Sequence, residues 1–226
     1  FTNYGSLTVG SNGIYSTGNV SLTASSYGTS DIVQTGVIDT SGSNKTVSLA
    51  ADHSVFVNNT INATGGTSGK VYLEADGSIT DGASGDINAD LLDVQNYYWG
   101  AVDVTLDSGL HNIGSVTGGG SNGYARLGDF TLKTNGALAV GSAGLFSSGI
   151  VDIYSSGDLT IAGDVKSWAT GSSHNEVTAV TLGTGGNFIN NSGSDAIGLQ
   201  GSWTRWLVYA ADSVGNTYGG LNSGNT

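Results

Sequence analysis

The chain has 226 residues and contains no Pro, no Cys and no Met, but 38 Gly; average usage would give about 11 Pro and about 16 Gly. Without Cys there is no disulfide, thiolate nucleophile or cysteine metal site, and 18 acidic residues against 6 basic ones give a net charge of −12. The bases (Lys45, Lys70, Arg126, Lys133, Lys166 and Arg205) are scattered singly, which excludes the clustered cations that nucleic acid or an anionic membrane surface requires.

The longest apolar runs are a few residues, short of the roughly 20 that a membrane-spanning helix needs. Gly follows no period of three, so the chain is not collagen-like, and 38% hydrophobic residues supply a core that a flexible linker lacks. Only 11% of residues are charged, and the polar surface is Ser, Thr, Asn and Gly, which suits an extracellular protein. A chain that begins at Phe1 rather than Met reads as a mature or excised piece of a longer one.

In chain order, the first strand signal is GSLTVG at 5–10. Val20, Leu22 and Ala24 then spell V-x-L-x-A, which returns as Val47, Leu49, Ala51 and as Val71, Leu73, Ala75, the starts being 27 and 24 residues apart. Alternation at period 2 puts the three apolar side chains of each copy on one face of a strand. The second and third copies stay aligned further on: Ala51-Asp52-His53-Ser54-Val55 matches Ala75-Asp76-Gly77-Ser78-Ile79, and Ile61-Asn62-Ala63 matches Ile87-Asn88-Ala89. The opening phrase recurs as GSITDG (77–82), GALAVG (136–141) and GDLTIAG (157–163). Further strands are predicted at 102–106, 124–132, 151–154 and 177–182, and no 3.6-residue apolar period predicts a helix.

Three short strands in each repeat of about 24 residues describe one rung of a solenoid. The sequence therefore predicts an all-β fold, a right-handed parallel β-helix of roughly nine coils, about 45 Å long at 4.8 Å per coil. A two-sheet sandwich also spaces its strands by 8–12 residues, but it does not explain words that return after 24. The missing Pro fits a ladder bonded on both edges, and Gly fits tight corners.

Several groups of residues carry chemical possibilities. Asp52 and Asp76 hold equivalent repeat positions, about 5 Å apart if stacked, a spacing that suits glycoside cleavage; lacking a basic cluster for a uronic acid, they read better as turn-forming Asp residues. Asp81, Asp86, Asp90 and Asp93 form the densest acidic patch, read as a solvated edge because no calcium-loop spacing is present. His53, His111 and His174 share no repeat phase and do not suggest a zinc triad. No nucleophile, phosphate-cradling or dinucleotide motif occurs, so neither cofactor nor enzyme activity is expected. Thr-x-Thr ladders of an ice-binding face are also missing. Tyr97-Tyr98-Trp99 interrupts the rungs; it reads first as core and second as an exposed platform for a glycan or a protein partner.

The last forty residues contain GGNFINNSGSDAI (185–197) and WTRWLVYAADSVGNTYGGL (203–221). These resemble the filamentous-haemagglutinin-like adhesins of bacterial two-partner secretion. In that family a G-N-F-x-N-N phrase ends a β-helix, and R-W-L-I-Y-S then leads into small β-rich modules. Gly186, Asn187, Phe188, Asn190 and Asn191 match the first phrase; Arg205, Trp206, Leu207 and Tyr209 match the second, with Val208 for Ile and Ala210 for Ser; Gly219, Gly220 and Leu221 match a following G-G-L. Where the family often has Pro after the Tyr, this chain has Ala211-Asp212-Ser213. The resemblance implies a secreted or outer-membrane-associated surface protein of a Gram-negative bacterium. Its partners would be the outer-membrane secretion pore during export and a glycan or host receptor afterwards, with no catalysis. It divides the chain into a shaft (1–200) and a cap with the start of a following module (201–226). Trp203, Arg205, Trp206, Leu207 and Tyr209 are then expected to cap the open end of the shaft.

Overall fold

The computed structural model describes residues 1–96, 98, 100–120 and 126–221. Among them there is no helix; 22 strands form a single sheet wound into a parallel β-solenoid of about eight turns. This is consistent with the right-handed wind that strand twist imposes on parallel crossovers. Nine rungs separated by eight steps of about 4.8 Å make a stack about 38 Å long, somewhat shorter than expected. Rung-to-rung pairing is parallel throughout, which disposes of the sandwich.

The repeats read from the sequence stack as aligned. Val20 lies beside Val47 and Val47 beside Val71; Leu22, Leu49 and Leu73 follow in the same register. Their side chains point inward and are almost wholly buried, while the residues between them face outward. A second inward column runs the length of the molecule: Leu7, Ile32, Val55, Ile79, Val104, Phe130, Val151, Val180 and Trp206. Each inward residue touches its equivalents above and below, so one continuous core serves every rung.

The partition of the wall changes half-way. Up to residue 96 each turn has one long strand, as in Thr46–Ala51 and Lys70–Ala75, followed by two short ones, as in Val55–Val57 and Ile61–Ala63. From Leu127–Thr134 onward the long strand lies one face further round, stacked as Leu127–Thr134, Val151–Ser155, Val177–Thr184 and Thr204–Ala210. The stretch 115–118, one face in its own turn, is covered next by two: Val116 pairs with Val140, and Gly118 with Leu145. Gly118 permits this corner, since a Cβ there would press on the Leu127 and Leu145 side chains. The recurring phrase is thus not one column: 5–10 and 77–82 lie on the second face, whereas 136–141 and 157–163 cover the first.

Corners are tied by polar side chains at strand ends. In Thr134-Asn135-Gly136-Ala137-Leu138, Ser155-Ser156-Gly157-Asp158-Leu159 and Thr184-Gly185-Gly186-Asn187-Phe188 the first residue turns inward and is buried. Ser155 donates to the Gly136 carbonyl, and Thr184 to that of Gly157. Outside, a ladder of amides crosses five rungs. Asn62 donates to Asp39 at 3.0 Å, Asn88 to Asn62 at 2.7 Å, Asn112 to Asn88 at 2.7 Å and Asn135 to Asn112 at 3.3 Å.

Candidate functional site

The corner between the first and second faces carries the most distinctive surface. Successive turns reach it with Tyr4, with Ser25–Gly28, with Asp52, with Asp76 and with Tyr98, and together these line a groove of about 570 Å3. Tyr4, Tyr27 and Tyr98 are exposed by 91%, 104% and 59%. Tyr98 is the described member of the Tyr97-Tyr98-Trp99 run; Tyr97 and Trp99 lie outside the described residues, as do 121–125 at the start of the strand expected over 124–132. Tyr98 projects to solvent from a bend rather than into the core.

Both carboxylates of the groove are committed to holding tyrosine-bearing turns. Asp52 accepts the Gly28 N–H at 3.0 Å, the Ser30 N–H at 2.8 Å and the Ser26 N–H, clasping the turn of the preceding rung around Tyr27. Asp76 accepts the Tyr98 N–H at 2.7 Å from the following rung. Burial alone would raise the Asp52 carboxyl, but the Gly28, Ser30 and Ser26 N–H groups, with His53 nearby, bring it below its ordinary 3.8. A general acid working near neutral pH needs the opposite shift. The pair is therefore an anchor for loops, which agrees with the turn-forming reading.

The acidic patch is a solvated edge only in part. Asp81 is the exception that corrects it, for its side chain is fully buried together with that of His111, Oδ2 standing 3.2 Å from Nε2. Asp81 also accepts the N–H groups of Asp107 (3.2 Å), Ser108 (3.0 Å) and Gly109 (2.6 Å). The Ile87 N–H donates to His111 Nδ1 at 3.1 Å, which leaves the ring proton on Nε2, facing the carboxylate. Burial pushes the Asp81 carboxyl up, yet His111 and the Gly109 and Asp107 N–H groups carry it below 3.8. Asp86 accepts the Leu110 N–H, Asp90 the Gly69 N–H, and Asp93 pairs with Lys70 at 2.6 Å. Each holds a different partner, and among the described residues no three His, Asp or Glu side chains converge on a metal position. His53 sits exposed, 2.7 Å from Asp31, and His174 lies against Ser173.

These shifts set an acid limit on stability. Asp52 and Asp81 have folded values below their unfolded ones, so the stability they contribute is fully present above pH 3.8 and is lost as pH falls through the lower folded values. The melting temperature is expected to drop below pH 4. Asp52→Asn should flatten that drop; an unchanged acid limb in the variant would show that the clasped carboxylate is not its source.

At the far end, Thr204–Ala210 stacks on Val177–Thr184 as one more rung. Trp206, Val208 and Ala210 face inward against the core, while Leu207 and Tyr209 alternate outward. Trp203 is half exposed, and Arg205 reaches back 3.1 Å to Glu176. The matched phrase before it has a packing reason: Phe188 is wholly buried, its ring 6.1 Å from that of Tyr218, and buried Asn190 donates to the Gly193 and Tyr218 carbonyls.

No protein-family model, curated protein or solved structure matches this chain. The architecture is compatible with the β-helical shaft of an adhesin, and no helix among the described residues is long and apolar enough to cross a membrane. Sequence reasoning reached this groove at Asp52, Asp76 and Tyr98 but not at Tyr4 or Tyr27. Tyr4 and Tyr27 sit in turns whose only signal is an aromatic residue beside Gly, at the corner where Asp52 and Asp76 had been aligned.

Proposed function

We propose that the chain is a structural and adhesive segment of a large secreted surface adhesin of a Gram-negative bacterium, related to the filamentous-haemagglutinin-like proteins. The observation that supports it most is the unbroken inward column of nine residues from Leu7 to Trp206. Such a stack resists bending, because every rung is hydrogen-bonded to the next and shares its core. A rod of this kind holds attachment sites away from a cell surface for contact with other cells, a host or biofilm matrix. The C-terminal phrases, and a composition free of Cys, add support: a chain exported unfolded through an outer-membrane pore meets no disulfide on the way. In this reading the segment binds and spaces; it catalyses nothing and needs no cofactor.

Antibodies raised against the 226-residue chain would test the proposal on intact cells of the source organism. Surface or culture-fluid labelling, and loss of attachment when the gene is disrupted, are the expected results. Labelling confined to the interior of lysed cells would overturn it.

A further inference from the structure

Tyr4, Tyr27 and Tyr98 are exposed together at one corner, and the clearest cost lies at Tyr27. Tyr27 adopts φ 54, a left-handed conformation that is costly for a non-glycine residue. It is also completely exposed, so its ring recovers little of that cost by burial. Glycine would suit the position, and Gly28 beside it already takes φ 80. The strain is nevertheless fixed in place, because Asp52 grips the backbone on both sides of Tyr27. Asp76 fixes Tyr98 in the same manner. Locally unfavourable geometry, over-determined by its surroundings, is characteristic of binding sites.

We infer that this groove binds an uncharged polysaccharide chain lying along the solenoid axis, with Tyr27 and Tyr98 as stacking platforms for sugar rings and Tyr4 extending the surface at one end. Three features select that ligand class. Tyr27 and Tyr98 belong to rungs three steps apart, about 14 Å along the axis at 4.8 Å per step, a span for several sugar units and too long for a monosaccharide. No Lys or Arg lines the groove, two carboxylates do, and the whole chain carries −12; uronic acids, sulfated glycans and nucleic acids are repelled. The groove also offers acceptors, in the Asp76 carboxylate and the Ser25 and Ser26 hydroxyls, to a ligand rich in hydroxyl donors. A proline-rich peptide, the other usual guest of an aromatic groove, presents carbonyl acceptors that the Tyr and Ser hydroxyls could meet, but few donors for the Asp76 carboxylate. The inference does not depend on the adhesin reading, and its failure would leave that reading standing.

The test is titration of the 226-residue chain with a panel of hexasaccharides: cello-, xylo-, laminari-, manno- and N-acetylchito-oligomers, with oligogalacturonate and a proline-rich decapeptide alongside. At least one neutral hexamer is expected to bind, with oligogalacturonate and the peptide silent. Tyr27→Gly should fold as stably as the parent, because glycine relieves the positive φ, and should weaken binding about tenfold, the loss of roughly 1.4 kcal/mol. Tyr98→Ala should weaken it similarly, whereas Tyr15→Ala, exposed on another face, should not. Binding by none of the neutral hexamers, preference for the uronate or the peptide, or full affinity in Tyr27→Gly would each overturn the inference.

Discussion

Replacing Ser48 by Pro is expected to cost about 1–3 kcal/mol for the carbonyl left unpaired in the ladder, before any clash of the ring. Ser48 occupies the middle of Thr46–Ala51 and pairs with Ser21 on one side and Tyr72 on the other. In a parallel sheet alternate residues direct their N–H and C=O to opposite neighbours, so a strand covered on both edges has no idle N–H to give up. The side chain of Ser48 points outward, so the ring would leave the core intact and the loss would report the ladder alone. Urea unfolding followed by circular dichroism reads it directly. Ser48→Ala, which keeps the N–H, should stay within about 0.5 kcal/mol of the parent. A proline variant as stable as the alanine one would show that the rungs are not continuously bonded, and the absence of Pro would need another reason.

A loss of similar or greater size is expected at Asp81. Asp81→Ala leaves the N–H groups of Asp107, Ser108 and Gly109 without their acceptor and removes the carboxylate that faces His111, at a site where both side chains are buried. Each buried donor left without its acceptor costs about 1–3 kcal/mol, so the loss grows with the number of these partners that stay desolvated. Asp81→Asn keeps the shape and one acceptor oxygen and should lose less. If the two groups act together, Asp81→Ala combined with His111→Leu will cost less than the sum of the single variants, with a coupling of about 0.5–3 kcal/mol. Additive losses would mean that Asp81 serves the 107–109 turn alone.

The contrast between these two sites shows what the sequence made legible. The ladder around Ser48 was readable because V-x-L-x-A repeats locally and its alternation names the buried face of each strand; the register of Val20, Val47 and Val71 follows from the words themselves. The Asp81–His111 pair joins residues 30 positions apart at the turn where the long strand changes face. Repeated words fix what a strand buries, but not which face of the previous turn it covers. GALAVG at 136–141 therefore looked equivalent to GSLTVG at 5–10 while stacking elsewhere. The groove was half visible: the alignment of Asp52 with Asp76 located its floor, and a turn-forming role followed from the residue type. Tyr98 stood out in its aromatic run, but Tyr4 and Tyr27 were not visible, because exposed residues at corners follow no period, and Tyr27 occupies a conformation that the sequence would have given to glycine.

In this solenoid the strands run around the axis, so the hydrogen bonds between rungs, like the chain of amides from Asn135 to Asp39, lie along it. Tension between the two ends therefore does not shear all the bonds of the stack at once; it peels the end turn first. Successive rungs are 20 to 32 residues apart, so each release pays out about 70–110 Å of extended chain before the next turn takes the load. A stiff column under compression thus becomes, under pull, a tether that lengthens in instalments and can rewind rung by rung on the template that remains.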